Sequence, residues 1–149
     1  MRFIQEEDYS TLIRTEIRNL MAVSYNDVKL AMAENMAIAQ IKNYLKGSYD
    51  ITIIFEGTTT PPPAIDPRNA YLLMITMDCA LYHLYTNTAP DRIPEHRSAR
   101  YQDAIDWLKM VSKGETIADL PITPIVPGES NSVAGIKLGS KYPTSNNRY

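Results

Sequence analysis

The sequence predicts an all-α fold, a small bundle of about four helices with a short β-rich insertion and a long extended C-terminal arm. Apolar residues recur at spacings of three and four in four stretches, which is the helical period. A threonine- and proline-rich segment separates the second stretch from the third, and prolines and glycines accumulate near the C-terminus. The 149 residues suit one core. We therefore expect a helical domain at residues 1–115, with the insertion at about residues 49–65, and an arm at residues 116–149.

The first helical stretch runs from Phe3 to about Val23 and suits one or two short amphipathic helices. Its start is acidic at residues 6–8, where the helix macrodipole favours negative charge. The second stretch has Ser24 as its predicted N-cap, Asp27 in an approximate capping box, and Gly47 just past its end. Its predicted apolar face comprises Val28, Ala31, Met32, Met36, Ile38, Ala39, Ile41 and Leu45, and its predicted solvent side comprises Lys29, Glu34, Gln40 and Lys42.

The insertion begins with a β-rich run from Ile51 to Phe55, because β-branched and aromatic residues favour strands. Gly57 and three threonines follow it. Residues 61–63 are consecutive prolines, which predict a stiff extended linker, since each ring fixes φ and removes a backbone donor.

The third helix is predicted to begin near Asp66, with Pro67 at its first position, and to run to about Thr86. It has almost no polar face, so we expect it to be the central and most buried helix. The fourth helix is predicted to run from Pro94 to Gly114. Its predicted apolar stripe comprises Tyr101, Ala104, Ile105, Leu108 and Val111, and Arg97, Arg100, Asp103, Asp106 and Lys109 are predicted largely on the other face.

The C-terminal arm is predicted to be extended, because no helix fits residues 117–149, which contain four prolines and three glycines. Apolar residues are nevertheless spread through it, and they give the arm something to bury against a partner. We expect these contacts to be made in trans. The candidate partner contacts in the arm are Leu120, Ile122, Ile125, Val133, Ile136, Leu138, Tyr142 and Tyr149.

The aromatic composition also indicates contacts with partners, because the chain has ten tyrosines but only two phenylalanines, and tyrosine is enriched at interfaces. We expect Trp107 either to anchor a contact between subunits or to lie in the core, since it falls well off the apolar stripe of the fourth helix. The tyrosines expected in the core or at its edge are Tyr71, Tyr82, Tyr85 and Tyr101.

Composition excludes several classes of protein. The net charge of -2 argues against nucleic-acid binding through the protein's own surface, which needs clustered Lys and Arg. The acidic start and the lack of a long apolar run predict no signal peptide and no membrane span, so we expect a soluble chain made in a cytosol. A single cysteine, Cys79, allows neither an internal disulfide nor a thiolate zinc site.

The strongest candidate for chemistry is the pair Cys79 and His83, four residues apart on the third helix. The spacing could place two ligands on a metal, or with Asp78 it could form a nucleophile, base and orienting group. We prefer a core cysteine and a hydrogen-bonded histidine, because no further ligand, cleft or catalytic motif accompanies them. We therefore expect no enzyme activity, no cofactor and no metal, and assign no catalytic, cofactor-binding or metal-ligating residue.

The order of several segments resembles the Mu-like phage and prophage family of small head-to-tail connector proteins. The segments, in order, are IQEEDY at residues 4–9, IKNYL at 41–45, YD at 49–50, MDCALYHLY at 77–85, RYQDAIDWL at 100–108 and KGE at 113–115. The resemblance covers most of residues 1–115. The chain departs from the family pattern at the insertion and in the arm.

The resemblance implies a non-enzymatic structural subunit of the virion neck, assembled in the bacterial cytoplasm. Such subunits form a ring, commonly of twelve copies, that docks under the portal protein and continues the DNA channel toward a downstream neck or tail protein. DNA would pass without sequence-specific binding, and no membrane is involved. We expect the arm to lie along a neighbouring subunit or the portal, and the insertion to project toward a neighbour or the channel.

Two alternatives stay open. A tail-completion or stopper protein of the neck would bind tail subunits instead of the portal. A small cytosolic helical binding module would use the arm as a linear motif for one partner.

Overall fold

The computed structural model describes residues 2–12, 27–56 and 66–124, and it confirms an all-α fold. Across these residues there is no β-sheet, and one isolated antiparallel bridge joins Tyr49 to Ile122. A short 3-10 turn, Pro90–Arg92, links the last two helices. The described helices are α1 (Glu6–Leu12), α2 (Val28–Leu45), α3 (Ile51–Glu56), α4 (Ala70–Thr88) and α5 (Glu95–Lys113).

The core lies where α4 packs against α2 and α5. As the sequence predicts, α4 is the central helix, and it is buried around most of its circumference. Helix α5 buries the stripe of Ala104, Ile105, Leu108 and Val111, as predicted, and Tyr101 packs at the core edge. Residues at the N-terminus complete this core, since Phe3 and Ile4 are buried and the Phe3 ring contacts Phe55 with ring centres 4.8 Å apart.

Helix α2 differs from its prediction in both its start and its buried face. Asp27 is the N-cap and accepts from the Lys29 backbone N–H at 2.7 Å. The predicted cap Ser24 lies outside the described residues. The predicted apolar face is wrong at Val28, Met32, Met36 and Ala39, which are exposed. Glu34, predicted on the solvent side, is buried. The buried positions are Leu30, Ala33, Glu34, Ala37, Ile41 and Leu45, and the small alanines let α2 approach α4 closely.

The predicted β-rich run is wrong, because residues 51–56 form the short helix α3. The Asp50 side chain accepts from the backbone N–H groups of Thr52 and Ile53, each at 3.0 Å, and so satisfies two donors that would otherwise be unpaired. Weak helix propensity costs less than about 0.7 kcal/mol per residue, which this cap and the burial of Phe55 offset. The rest of the insertion, residues 57–65, lies outside the described residues.

The start of α4 also differs from its prediction. Asn69 is the N-cap and accepts from the Leu72 N–H at 2.9 Å, whereas Asp66 binds the Arg68 guanidinium. Helix α5 follows its predicted bounds, and Gly114 ends it in the left-handed conformation, with φ of 75°. Arg97 was expected on the solvent side of α5 but is buried, because Asp78 on α4 offers it a carboxylate.

The beginning of the arm is non-helical, as predicted, but it is docked on the helical body. Ala118 and Leu120 are buried in the core, and the Asp50 N–H donates to the Pro121 carbonyl at 2.9 Å. The Thr123 N–H donates in turn to the Ser48 carbonyl at 3.2 Å. The helical body therefore extends beyond residue 115 to about Thr123. Residues 125–149, and residues 13–26 of the first two predicted helices, lie outside the described part.

Candidate assembly surfaces

Helix α2 carries an exposed apolar row, which we call the outer ridge: Val28, Met32 and Met36. These residues are four apart, so they lie above one another on one side of the helix. Their exposed fractions are 80 %, 62 % and 43 %. Ala33 and Ala37 form a second row, and they are buried on the side that faces the core. Among the described residues the Met36 sulfur lies 4.0 Å from the Asn87 amide of α4, but most of this row faces outward. Such exposed apolar surface is typical of a contact with another protein.

A second exposed surface, which we call the aromatic groove, lies between α4 and α5. It is lined by Tyr71 and Met74 of α4 and by Arg100 and Asp103 of α5. Trp107 extends it, since its ring meets the Tyr71 ring edge-on at 5.1 Å between centres. Tyr71 is 48 % exposed and lies at the core edge, whereas Trp107 is partly buried. Trp107 therefore packs on the core and also borders an open surface, and its role in a contact between subunits stays a prediction.

The outer ridge and the aromatic groove lie on different sides of the body. Tyr101 marks the side of α5 that meets α2, because the Gln40 amide of α2 donates to its hydroxyl at 2.9 Å. Trp107 follows six residues later, which places it roughly 120° away from Tyr101 around the helix axis. The groove therefore faces away from α2, while the ridge lies on the side of α2 that points away from the core.

Arg68 joins the N-terminal segment to the start of α4. Its guanidinium, which is largely buried, lies 2.6 Å from carboxylate oxygens of both Asp8 and Asp66 and donates to the Phe3 carbonyl at 2.6 Å. Hydrogen bonding to Asp66 raises the pKa of Arg68, and the reciprocal contact lowers the pKa of Asp66. This contact holds the N-terminal segment on the core.

Two further buried carboxylates join elements of the body. Asp78 lies 3.2 Å from the Arg97 guanidinium and 3.0 Å from that of Arg100, so it links α4 to α5 beneath the aromatic groove. Glu34 accepts from the Tyr9 hydroxyl at 2.7 Å, and an oxygen of its carboxylate lies 2.7 Å from the Arg2 guanidinium. These contacts lie within the chain and serve its structure, although the buried Arg97 Nε has no hydrogen-bond partner among the described residues.

Cys79 and His83 occupy structural positions, as preferred from the sequence. Cys79 is fully buried, and burial with the nearby Asp78 charge raises the pKa of its thiol to about 12. His83 Nε2 lies 3.0 Å from the Gln40 amide oxygen, and burial lowers the pKa of its imidazole. Over the described ranges, no three or more His, Cys, Asp or Glu side chains converge on a possible metal position. No helix in those same ranges is both long and apolar enough to cross a membrane.

Of the residues predicted to contact partners, the structure describes Trp107, Leu120 and Ile122. Leu120 is buried in the body's own core. Ile122 forms the backbone bridge with Tyr49, and its side chain is exposed. The outer ridge was missed because its residues were assigned to the core face. One signal could have found it: the two rows, 28-32-36 and 33-37-41, lie about 140° apart around one helix and so cannot share one face. The remaining predicted contacts, Ile125, Val133, Ile136, Leu138, Tyr142 and Tyr149, lie outside the described residues.

Comparison with known proteins identifies a family. No curated protein and no solved structure gives a significant match. Residues 2–135 match the model of the family described as Bacteriophage Mu, Gp36. The match includes every element of the helical body and extends into the arm. It confirms the prediction of a Mu-like phage protein, and the chain belongs to the Bacteriophage Mu Gp36 family.

Proposed function

We propose that this protein is a head-to-tail connector subunit that forms a ring in the phage neck, docks on the portal protein and continues the DNA channel toward the tail. Family membership supports a structural or morphogenetic role in a phage. The observation that supports ring formation is the presence of two exposed apolar surfaces, the outer ridge and the aromatic groove, on different sides of one small body.

Different surfaces on different sides favour a cyclic assembly. A subunit with one self-complementary surface forms a closed dimer, whereas a subunit with two distinct surfaces binds head to tail and repeats until the rotation closes. The helical body suits this use, because ion pairs at Arg68 and Asp78 fix its elements against one another. Twelve copies are the expected number in the proposed ring.

The arm is the proposed second means of contact. The body holds its first residues, through Thr123, beside Ser48, so the arm leaves the body at a defined place. From there its apolar residues, beginning at Ile125, would lie along a neighbouring subunit or the portal and add backbone hydrogen bonds. Ile117 and Ile122 are strongly exposed near this exit and are available to the same contact.

A structural, non-enzymatic role without a cofactor fits the chemistry of the body. Cys79 would be the nucleophile of any enzyme interpretation, but its thiol is fully buried and its pKa of about 12 leaves almost no thiolate at neutral pH. The net charge of -2 suits a channel that DNA traverses without being bound.

The proposal is tested by the mass of the purified full chain, alone and with the portal protein of the same phage, by native mass spectrometry. We expect a closed ring, or a monomer that forms a ring only on the portal. A monomer that ignores the portal but binds a tail subunit would instead indicate a stopper or tail-completion protein. A monomer or dimer that binds neither would refute the neck role and favour a helical binding module.

A further inference from the structure

We propose that the outer ridge of one copy packs into the aromatic groove of the next copy, and that this contact builds the ring. The inference rests on the proposed function, because it names the surfaces that the ring would use. The proposed partner of each surface is a second copy of this chain.

The shapes of the two surfaces fit. Side chains four apart form a ridge along a helix, and helices pack by placing ridges into grooves. The ridge from Val28 to Met36 is about 12 Å long at 1.5 Å per residue, and the α5 wall of the groove, from Arg100 to Trp107, is roughly 10 Å long. One ridge therefore fills one groove along almost its full length.

The chemistry of the surfaces fits as well. Methionine side chains are flexible and polarizable and pack well on aromatic rings. The ridge offers Met32 and Met36, and the groove offers Tyr71 and Trp107. Aromatic residues and methionine are also the types enriched in protein interfaces.

Charge complementarity identifies the occupant as a second copy. Lys29 lies beside the ridge and is exposed, and Asp103 lines the groove and is exposed. Neither forms an ion pair with any other side chain in the described ranges. The groove's Arg100 is already paired with Asp78, so Asp103 is the free charge of the groove. Docking of the ridge would bring Lys29 of one copy to Asp103 of the next.

The contact is heterologous, and this property makes it suitable for a ring. Because ridge and groove lie on different sides of the body, one copy can give its ridge to one neighbour and its groove to the other. A symmetric dimer would have to pair one surface with itself and would leave the other surface exposed.

The proposal is tested by disulfide cross-linking of the full chain assembled with portal protein. The double variant Met32→Cys/Trp107→Cys should give a ladder of oligomers on mild oxidation, and a mixture of the two single variants should give covalent dimers. The matched control is Met32→Cys/Gln102→Cys, since Gln102 is exposed on another side of α5. We expect the control to give at most a tenth of the cross-linked product.

Charge exchange gives a second measurement that does not depend on the cysteine variants. Lys29→Glu should weaken each ridge-in-groove contact roughly fivefold, because an attraction becomes a repulsion, and the yield of rings should fall accordingly. Adding Asp103→Lys to Lys29→Glu should restore the yield. The control Lys109→Glu should leave it unchanged.

The outcomes separate the two proposals. Rings that form without the specific cross-link and without charge rescue would overturn the ridge-in-groove contact and leave the connector role standing. Failure of the unaltered chain to form rings, alone or on the portal, would overturn both.

Discussion

The Arg68 guanidinium contacts three acceptors. The Asp8 carboxylate and the Phe3 carbonyl are distant in sequence, whereas the Asp66 carboxylate is two residues away. Breaking a buried ion pair by removing one partner is costly, because the remaining charge stays buried without compensation. Asp8, which is also largely buried, would be left in that state. Arg68 is therefore a main attachment of the N-terminal segment to the core, beside the contacts of Glu34 with Tyr9 and Arg2.

We predict that Arg68→Ala lowers the free energy of unfolding by about 2 to 4 kcal/mol, as measured by urea denaturation. Arg92→Ala is the matched control, since Arg92 is exposed on the 3-10 turn, and it should change the free energy by less than about 0.5 kcal/mol. Equal effects of the two substitutions would show that the Arg68 contacts do not hold the body together.

His83 gives the body a dependence on pH. Burial lowers its pKa below the ordinary value of about 6.5, and the groups around it, Gln40, Tyr82 and Tyr101, carry no charge that would stabilise an imidazolium. The unfolded chain therefore takes up this proton at a higher pH than the folded chain does. The stabilising contribution is complete above about pH 6.5 and is lost as the pH falls below that value.

We predict that the urea concentration at the unfolding midpoint decreases when the pH is lowered from about 7.5 to about 5.5. His83→Gln should remove part of this decrease. His96→Gln is the control, because His96 is exposed at the start of α5, and it should retain the full pH dependence. A midpoint with the same pH dependence in the His83 variant would contradict the assignment.

At the scale of single residues, the sequence predicted a core position for Cys79 and a hydrogen bond for His83, but not the burial of Glu34 and Arg97. The reason is physical. A charged residue on a helix is assigned to solvent by its pattern, and only the folded chain shows that Tyr9 reaches Glu34 and that Asp78 reaches Arg97.

At the scale of elements, predictability follows the number of local signals that agree. The start of α5 after Pro94 and its end at Gly114 were predicted, because a proline at the start, a stripe at helical spacing and a left-handed glycine all agree. The run at residues 51–55 was predicted as a strand from composition alone. The Asp50 cap favours a helix instead.

The first residues of the arm, through Thr123, are docked on the body, so only the residues after them are proposed to take part in assembly. We predict that a chain ending at Pro124 keeps the stability of the full chain but loses portal binding or ring formation. It retains the docking contacts of Ala118, Leu120 and Thr123. The measurements are thermal unfolding and native mass spectrometry with portal protein.

A chain ending at Glu115 is the control for the docked segment. It also loses Ala118 and Leu120 and should be destabilised by roughly 2 kcal/mol, which is typical for removing one large buried side chain. Ring formation by the chain ending at Pro124, as complete as that of the full chain, would remove the arm from the assembly mechanism.

At the scale of the whole molecule, the segments that resemble Mu-like connectors predicted the family, and the family model confirms it over residues 2–135. The assembly surfaces could not be predicted in the same way. Apolar residues that contact the core and apolar residues that face outward have the same spacing on α2, so the pattern alone assigned both to the core. The angle between the two rows indicates that they lie on different faces, and the packing of α2 on α4 decides which row is buried.

The measurement that tests the connector role most directly is a reconstruction of the neck of the assembled phage particle by electron cryo-microscopy. It should show a closed ring of this helical body directly beneath the portal, with each outer ridge seated in the aromatic groove of the next subunit and DNA passing through the centre. A neck without this body, or the body found only at another part of the particle, would contradict the proposal.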